Sequence, residues 1–226
     1  MDDQNFDDAL VAEDWIGSIE SRGARVREKD IYPKLRAWAE ESGLERILEI
    51  GSGQGACSQC FDLKGKHYVG VEPSRLLNTR AMRLFQGRER EFVPGNAYKL
   101  PFDDESFDGA FSVAVWHLLE NIDKASEQMK RVLKPGGSFL IITANPDSYD
   151  IWRGMYAESE LSGKKLTGVV RFVDKADLKD TLYLHTLEDL QTALKSAGLH
   201  VDGIFTFREV QGQAVYLEIH GKRLRA

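Results

Sequence analysis

The chain has 226 residues, enough for one full-sized domain, and 42% of them are hydrophobic, so it can bury a core and does not belong to the disordered class. Its 30 basic and 36 acidic side chains leave a net charge of −6, which removes any global attraction to nucleic acid or to an anionic membrane. The acidic start MDDQNFDDALVAED fits neither a secretory signal nor an acid-poor mitochondrial leader, and no apolar run approaches ~18 residues, so a cytoplasmic protein without membrane spans is expected.

In chain order, a short helix is expected around Asp14–Glu20. A second follows in DIYPKLRAWAEESG, where Ile31, Leu35, Trp38 and Ala39 fall at helical spacing and Gly43 offers a stop. From Arg46 the rhythm changes. RILEI (46–50), HYVGV (67–71), REFVPG (90–95), FDGAFSVAV (107–115) and SFLIITA (138–144) read as five short buried strands. Helices are expected between them at Gly55–Leu63, Arg75–Phe85 and Ala125–Leu133, the last ended by Pro135-Gly136-Gly137. Such alternation argues for an α/β, doubly wound, mostly parallel sheet with helices on both faces.

The stretch 147–185 interrupts the alternation, with a possible strand at 168–173. It reads as an insertion over one edge of the sheet, too short to bury a core of its own. HTLEDLQTALKSAGL then gives a helix capped near Thr186 and ended near Gly198, and VDGIFTFRE with AVYLEIHG gives a hairpin. Cys57 and Cys60 make a lone C-x-x-C. A zinc site needs about four ligands and no second pair exists, so no metal is expected and the cysteines are read as small packing residues beside the sheet.

The turn after the first strand, LEIGSGQG (48–55), is where ligands sit in a doubly wound sheet. Gly51, Gly53 and Gly55 give G-x-G-x-G rather than the G-x-G-x-x-G of dinucleotide sites, and alone the pattern would fit a tight turn equally well. Three further features add to it. Glu72 ends the second strand in GVEPS, where a carboxylate can accept from both ribose hydroxyls. GNAYKLPFDDESFDGAF (95–111) puts a polar turn after the third strand, and LKPGG (133–137) precedes the fifth.

This set resembles the class I S-adenosylmethionine-dependent methyltransferases, in particular their small-molecule branch, over about residues 44–145. The resemblance implies a seven-stranded sheet of order 3-2-1-4-5-7-6 with its last strand antiparallel. It implies S-adenosyl-L-methionine as cofactor and a small-molecule methyl acceptor with an O, N, C or S nucleophile. A nicotinamide-dependent oxidoreductase and a non-catalytic cofactor-binding protein are the alternatives. The implied cofactor contacts are Glu49, Gly51, Ser52, Gly53, Gly55, Glu72, Pro73, Asn96, Ala97, Tyr98, Val113 and Trp116.

Glu49 either faces the cofactor's cationic end or braces the glycine loop. Asn96 stands where the family usually has an Asp that accepts from the adenine amino group; it keeps one acceptor oxygen and loses the charge. Trp116 reads as a pocket wall or as core. His117 reads as a general base or as a structural histidine framing the pocket. Residues 1–43 and 147–185 are the expected substrate cap of a single domain spanning 1–226. Trp15, Tyr32, Trp152, Tyr156 and His185 are its candidate contacts, and Arg22, Arg25 and Arg27 form a basic cluster able to receive an anionic group or to be a solvated helix face.

Overall fold

The computed structural model describes residues 6–171 and 177–225. Three helices come first: α1 (Ala9–Glu20), α2 (Arg22–Val26) and, after a π-helical turn at Arg27–Ile31, α3 (Tyr32–Glu41). The side chain of Asp8 accepts from the N–H groups of Leu10 and Val11 and so caps α1. Gly43 takes the left-handed conformation (φ 61°) just past α3, the stop that its position suggested.

The alternating portion follows as β1 (Arg46–Ile50), β2 (His67–Glu72), α4 (Arg75–Phe85), β3 (Arg90–Pro94), β4 (Phe107–Val113), α5 (Ile122–Val132) and β5 (Leu133–Ala144). After α6 (Tyr149–Arg153) the inserted stretch forms a meander of β6 (Tyr156–Ser162), β7 (Lys165–Arg171) and β8 (Asp177–Tyr183). The chain ends with α7 (Leu187–Ser196), β9 (Leu199–Val210) and β10 (Gln213–Arg223).

The main sheet has the order β3-β2-β1-β4-β5-β10-β9. The pairs among β1 to β5 are parallel, and β10 is antiparallel to both β5 and β9. With β9 as sixth strand and β10 as seventh, this is the order expected from the sequence. The returning arm of the hairpin is the one that docks on β5.

Side-chain alternation sorts the core into two layers. Leu48, Ile50, Val69, Val71, Ala110 and Ile141 pack with residues of α5 and α7. Ile47, Tyr68, Phe92, Phe111, Leu140 and Ile142 pack on the other face, against Leu35 and Trp38 of α3. Glu49 and Gly70 are register partners in β1 and β2, so Glu49 and Glu72 both project on the α3 face, at the carboxyl ends of their strands.

Two expectations are corrected. The helix over Gly55–Leu63 does not form; a five-residue 3-10 turn, Ala56–Cys60, stands in its place. Cys57, Ser58 and Cys60 are weak helix formers, and Ser58 Oγ bonds back to the carbonyl of Gly55 at 2.7 Å instead of leaving the backbone to propagate. The second correction concerns LKPGG. These residues are already the start of β5, with a register shift between Phe107 and Gly109 of β4, and α5 ends at Val132. In the inserted stretch β7 begins at Lys165, ahead of the anticipated strand, and overlaps it at 168–171, while 172–173 lie outside the described residues.

Candidate active site

The carboxyl ends of β1, β2 and β4 open into a cavity of about 320 Å³. Its floor holds Glu49, Gly51, Ser52, Gly53, Gln54 and Cys57 from the first turn, Glu72, Pro73, Ser74 and Leu77 from the second, and Val113 to Val115 with His117 from the fourth. Its other walls come from two separate stretches: Trp15, Gly23 and Arg27 from the N-terminal helices, and Trp152, Tyr156 and Leu182 from the inserted region. The two stretches touch each other, since Val11 of α1 packs on Val170 of β7 beside Phe6 and Tyr156.

The three glycines of the loop all have positive φ, for different reasons. A Cβ at Gly51 would lie 2.4 Å from Val115 Cγ2, and one at Gly55 would lie 2.9 Å from the ring of Phe92. Those two positions are closed by the protein's own packing. A Cβ at Gly53 would meet nothing within 4 Å, and Gly53 lines the cavity, so here the missing side chain keeps space open for something else. Val115 is aimed beneath Gly51 by Ala114, which adopts φ 59° and is pinned by its N–H to the carbonyl of Ile142 at 2.8 Å.

Glu72 is 6% exposed and braces the glycine loop: its Oε2 accepts from the N–H of Gly53 and its Oε1 from the N–H of Ser74, each at 2.9 Å. Burial raises its carboxyl to about 7 against the lowering effect of these two bonds. Glu49 is 2% exposed and accepts a hydrogen bond from the hydroxyl of Tyr68. Burial is again the largest influence, raising Glu49 to about 7, while Tyr68, Cys57 and Arg27 oppose it. The Cys57 and Cys60 thiols are free and buried, and burial pushes both well up from the ordinary thiol range. They are therefore neutral packing groups at neutral pH.

His117 is buried and lies against Trp152, with ring centroids 5.7 Å apart. The N–H of Ala144 donates to its Nδ1 at 3.3 Å, and Thr143 Oγ1 is 3.0 Å from the same nitrogen. A backbone donor on Nδ1 places the ring proton on Nε2, so the imidazole is a donor in its neutral form. Burial, and next to it His185, lowers its pKa to about 4.

The remaining expected residues divide clearly. Ser52, Pro73, Val113, Trp15, Trp152, Tyr156 and Arg27 line the cavity. Trp116 does not; it is core, packed with the α5 side of the sheet. Gly55 serves internal packing, as above. Asn96 Oδ1 accepts from the N–H groups of Tyr98 and Lys99, so it shapes the turn after β3 and, with Ala97 and Tyr98, stays off the cavity wall. Tyr32 and His185 also stand off the wall. The Tyr32 hydroxyl bonds the carbonyl of Ala56 at 2.9 Å, and His185 Nε2 is 2.6 Å from the carbonyl oxygen of Leu119. Arg25 is exposed and the side chain of Arg22 lies outside the described residues. Gln54, Asp180 and Tyr216 line the cavity without having been singled out from sequence; Gln54 sits between two glycines of the G-x-G-x-G run, and Asp180 and Tyr216 lie outside the motif pattern.

A sheet of this order, with a glycine turn after β1 and an acid ending β2, is a Rossmann-like α/β arrangement whose crevice lies across its strand tips. Residues 48–141 match a family model described as a methyltransferase domain. The chain is 33% identical over 139 residues to a fatty-acid O-methyltransferase of Mycolicibacterium smegmatis, covering 58% of this chain and 48% of that protein. It is 32% identical over 157 residues to a phthiotriol/phenolphthiotriol dimycocerosates methyltransferase of Mycobacterium ulcerans, covering 65% of this chain and 56% of the other. The chain thus spans about half the length of the curated relatives it matches. An S-adenosylmethionine-dependent methyltransferase structure from Clostridium acetobutylicum shares the fold, with a TM-score of 0.70 at 17% identity over 92% of this chain and 99% of that one. Residues 48–141 therefore match the methyltransferase-domain family, and the chain shares the fold of an S-adenosylmethionine-dependent methyltransferase.

Proposed function

We propose that the protein transfers a methyl group from S-adenosylmethionine to a nucleophile of a small, largely apolar acceptor. In this reading the acceptor is enclosed by a cap drawn from residues 1–43 and 147–185 of a single domain. The observation that carries the reading is the shared cavity: the glycine loop and Glu72 line one side of it, and apolar and aromatic side chains of the two flanking stretches line the other.

The residues present fit the cofactor. Gly53 leaves its surroundings open, the Nε2 of Gln54 is a buried cavity-lining atom without a partner, and two buried carboxylates stand at adjacent strand ends. Glu72 would hold the ribose hydroxyls while keeping the loop in place, and Glu49 would face the cationic end. Pro73, Ser52 and Val113 would complete the walls, with Asn96, Ala97 and Tyr98 shaping the neighbouring turn. When bound, S-adenosylmethionine supplies an electrophilic methyl on a cationic sulfur that leaves as a neutral thioether without protonation. The chain's own work is therefore to align the nucleophile and exclude water.

Trp152 supports that alignment. Its Nε1 donates to the carbonyl of Val215 at 3.1 Å, its edge meets Tyr216, and its ring lies against His117. His117 holds an Nε2 proton in a buried site, so its role is to donate a hydrogen bond that orients the acceptor. Acting as a base would require the proton to move to Nδ1, which the N–H of Ala144 opposes. The relatives are named for a fatty acid and for phthiotriol/phenolphthiotriol dimycocerosates, and the apolar lining here suits an acceptor of that lipid-like kind.

The test pairs calorimetry with label transfer. S-adenosylhomocysteine should bind, and methyl-labelled S-adenosylmethionine should pass label to members of a panel of apolar acids, alcohols, phenols and amines. Binding of a nicotinamide dinucleotide with no binding of the S-adenosyl compound would overturn the reading.

A further inference from the structure

Arg27 lies outside the matched residues 48–141, at the first position of the π-helical turn between α2 and α3. A π turn adds one residue to the helix and re-aims the side chain that begins it, and such turns concentrate at functional sites. Arg27 lines the cavity and is only partly exposed. Its Nε is fully shielded from solvent and has no hydrogen-bond partner, and among the described residues the guanidinium forms no ion pair. Its neighbours on the same turn are otherwise engaged or outside: Asp30 pairs with Arg208 at 2.7 Å, and Glu28 is exposed. The guanidinium folds over Gly23, where a Cβ would come within 2.7 Å of Nη1, so the glycine makes the room the side chain occupies.

A shielded guanidinium nitrogen without a partner is costly, and a planar fork of donors is matched best by a carboxylate. Glu49 faces the same cavity and is close enough to be influenced by Arg27, yet is not paired with it, being held by Tyr68. Gln54 Nε2, on the floor of the same cavity, is a second shielded donor without a partner among the described residues. A cationic fork, an unfilled amide donor and a separate carboxylate thus surround one space.

We propose that Arg27 is a carboxylate-binding subsite of this cavity, taking the carboxylate of a bound ligand in a two-pronged hydrogen-bonded pair, with Gly23 providing the space for the guanidinium. The inference rests on the methyltransferase reading, which supplies two sources of that chemistry: the amino-acid end of the S-adenosyl compound, or an acid group on the apolar acceptor.

The experiment uses matched pairs of ligands on the full chain and on Arg27→Gln. Calorimetry is run with S-adenosylhomocysteine against its decarboxylated analogue, and with dodecanoate against dodecanol. Arg27→Gln should weaken one carboxylate ligand by roughly 10–100-fold, the range of a charged hydrogen-bonded pair, and leave its carboxylate-free counterpart within about twofold. Loss on the nucleoside pair assigns the subsite to the cofactor, and loss on the dodecanoate pair assigns it to the acceptor. Arg27→Lys, which keeps the charge but not the fork, should recover only part of the loss. Equal losses for carboxylate and carboxylate-free ligands, or no loss in either pair, would overturn the proposal. If the wild-type chain binds no S-adenosyl compound, the methyltransferase reading fails separately, and the dodecanoate pair still decides the role of Arg27.

Discussion

The floor and the outer wall of the cavity are built on different principles. The floor consists of strand ends whose backbone is locked by the sheet: Gly53 is tied to Glu72, Gly51 is fitted over Val115, and the N–H of Ala114 is pinned to Ile142. The outer wall comes from short helices and a three-stranded meander, joined where Val11 meets Val170, and it contributes mainly side chains. Backbone geometry can be shared widely within a family because it tolerates many sequences. Side-chain walls are where one chain differs from another, so on the proposed reading the floor serves the cofactor and the wall the acceptor.

That contrast can be broken most forcefully at the glycines. Gly51→Ala should cost roughly 3 kcal/mol or more of stability, since a Cβ collides with Val115 in a left-handed backbone; calorimetric unfolding measures it. Gly53→Ala should cost only about 1–2 kcal/mol in folding, the strain of its φ, yet lower S-adenosylhomocysteine affinity more than tenfold. Equal behaviour of the two variants would mean that Gly53 is a turn residue and nothing more.

Glu72→Gln should weaken S-adenosylhomocysteine binding by about 1–3 kcal/mol while the loop stays braced by the amide oxygen. On the other wall, Trp152→Ala should raise the acceptor KM several-fold with a smaller change in S-adenosylhomocysteine affinity. A cofactor affinity that falls as far as the acceptor's would erase the distinction between floor and wall.

A pH slope gives a further test. Glu72 holds its proton more tightly folded, at about 7, than at its ordinary value near 4.5, so the folded state binds extra protons in that window. Stability therefore falls as pH rises from about 4.5 to about 7. His117 acts in the opposite sense: its proton is held less tightly folded, and its contribution is lost as pH falls from 6.5 towards about 4. Subtracting the profile of Glu72→Gln from that of wild type isolates the carboxyl, with an expected amplitude of roughly 1–3 kcal/mol. A difference profile flat between pH 4.5 and 7 would remove the raised carboxyl from the account.

Much of this was legible in the order of residues. The strand and helix alternation, the sheet order implied by the family resemblance and the glycine turn with its downstream acid all follow from local pattern. Local pattern is reliable where a strand is short, apolar and bounded by turn residues. It failed at ACSQC, where a helix was expected from topology although the residues themselves favour a tight turn. Local pattern also left open that the side chain of Trp116 packs in the core and that Asn96 Oδ1 accepts from the local backbone.

By itself, then, the sequence determined the sheet and the position of the crevice at its strand tips, because those depend on period and on which residues permit a left-handed turn. Tertiary structure alone decided which glycine keeps space open, which nitrogen of His117 carries the proton, and that Arg27 lines the cavity without an ion-pair partner among the described residues. Each of those depends on what lies across from a residue, and residues 20 to 100 positions away in the chain supply the answer only once the sheet has brought them there.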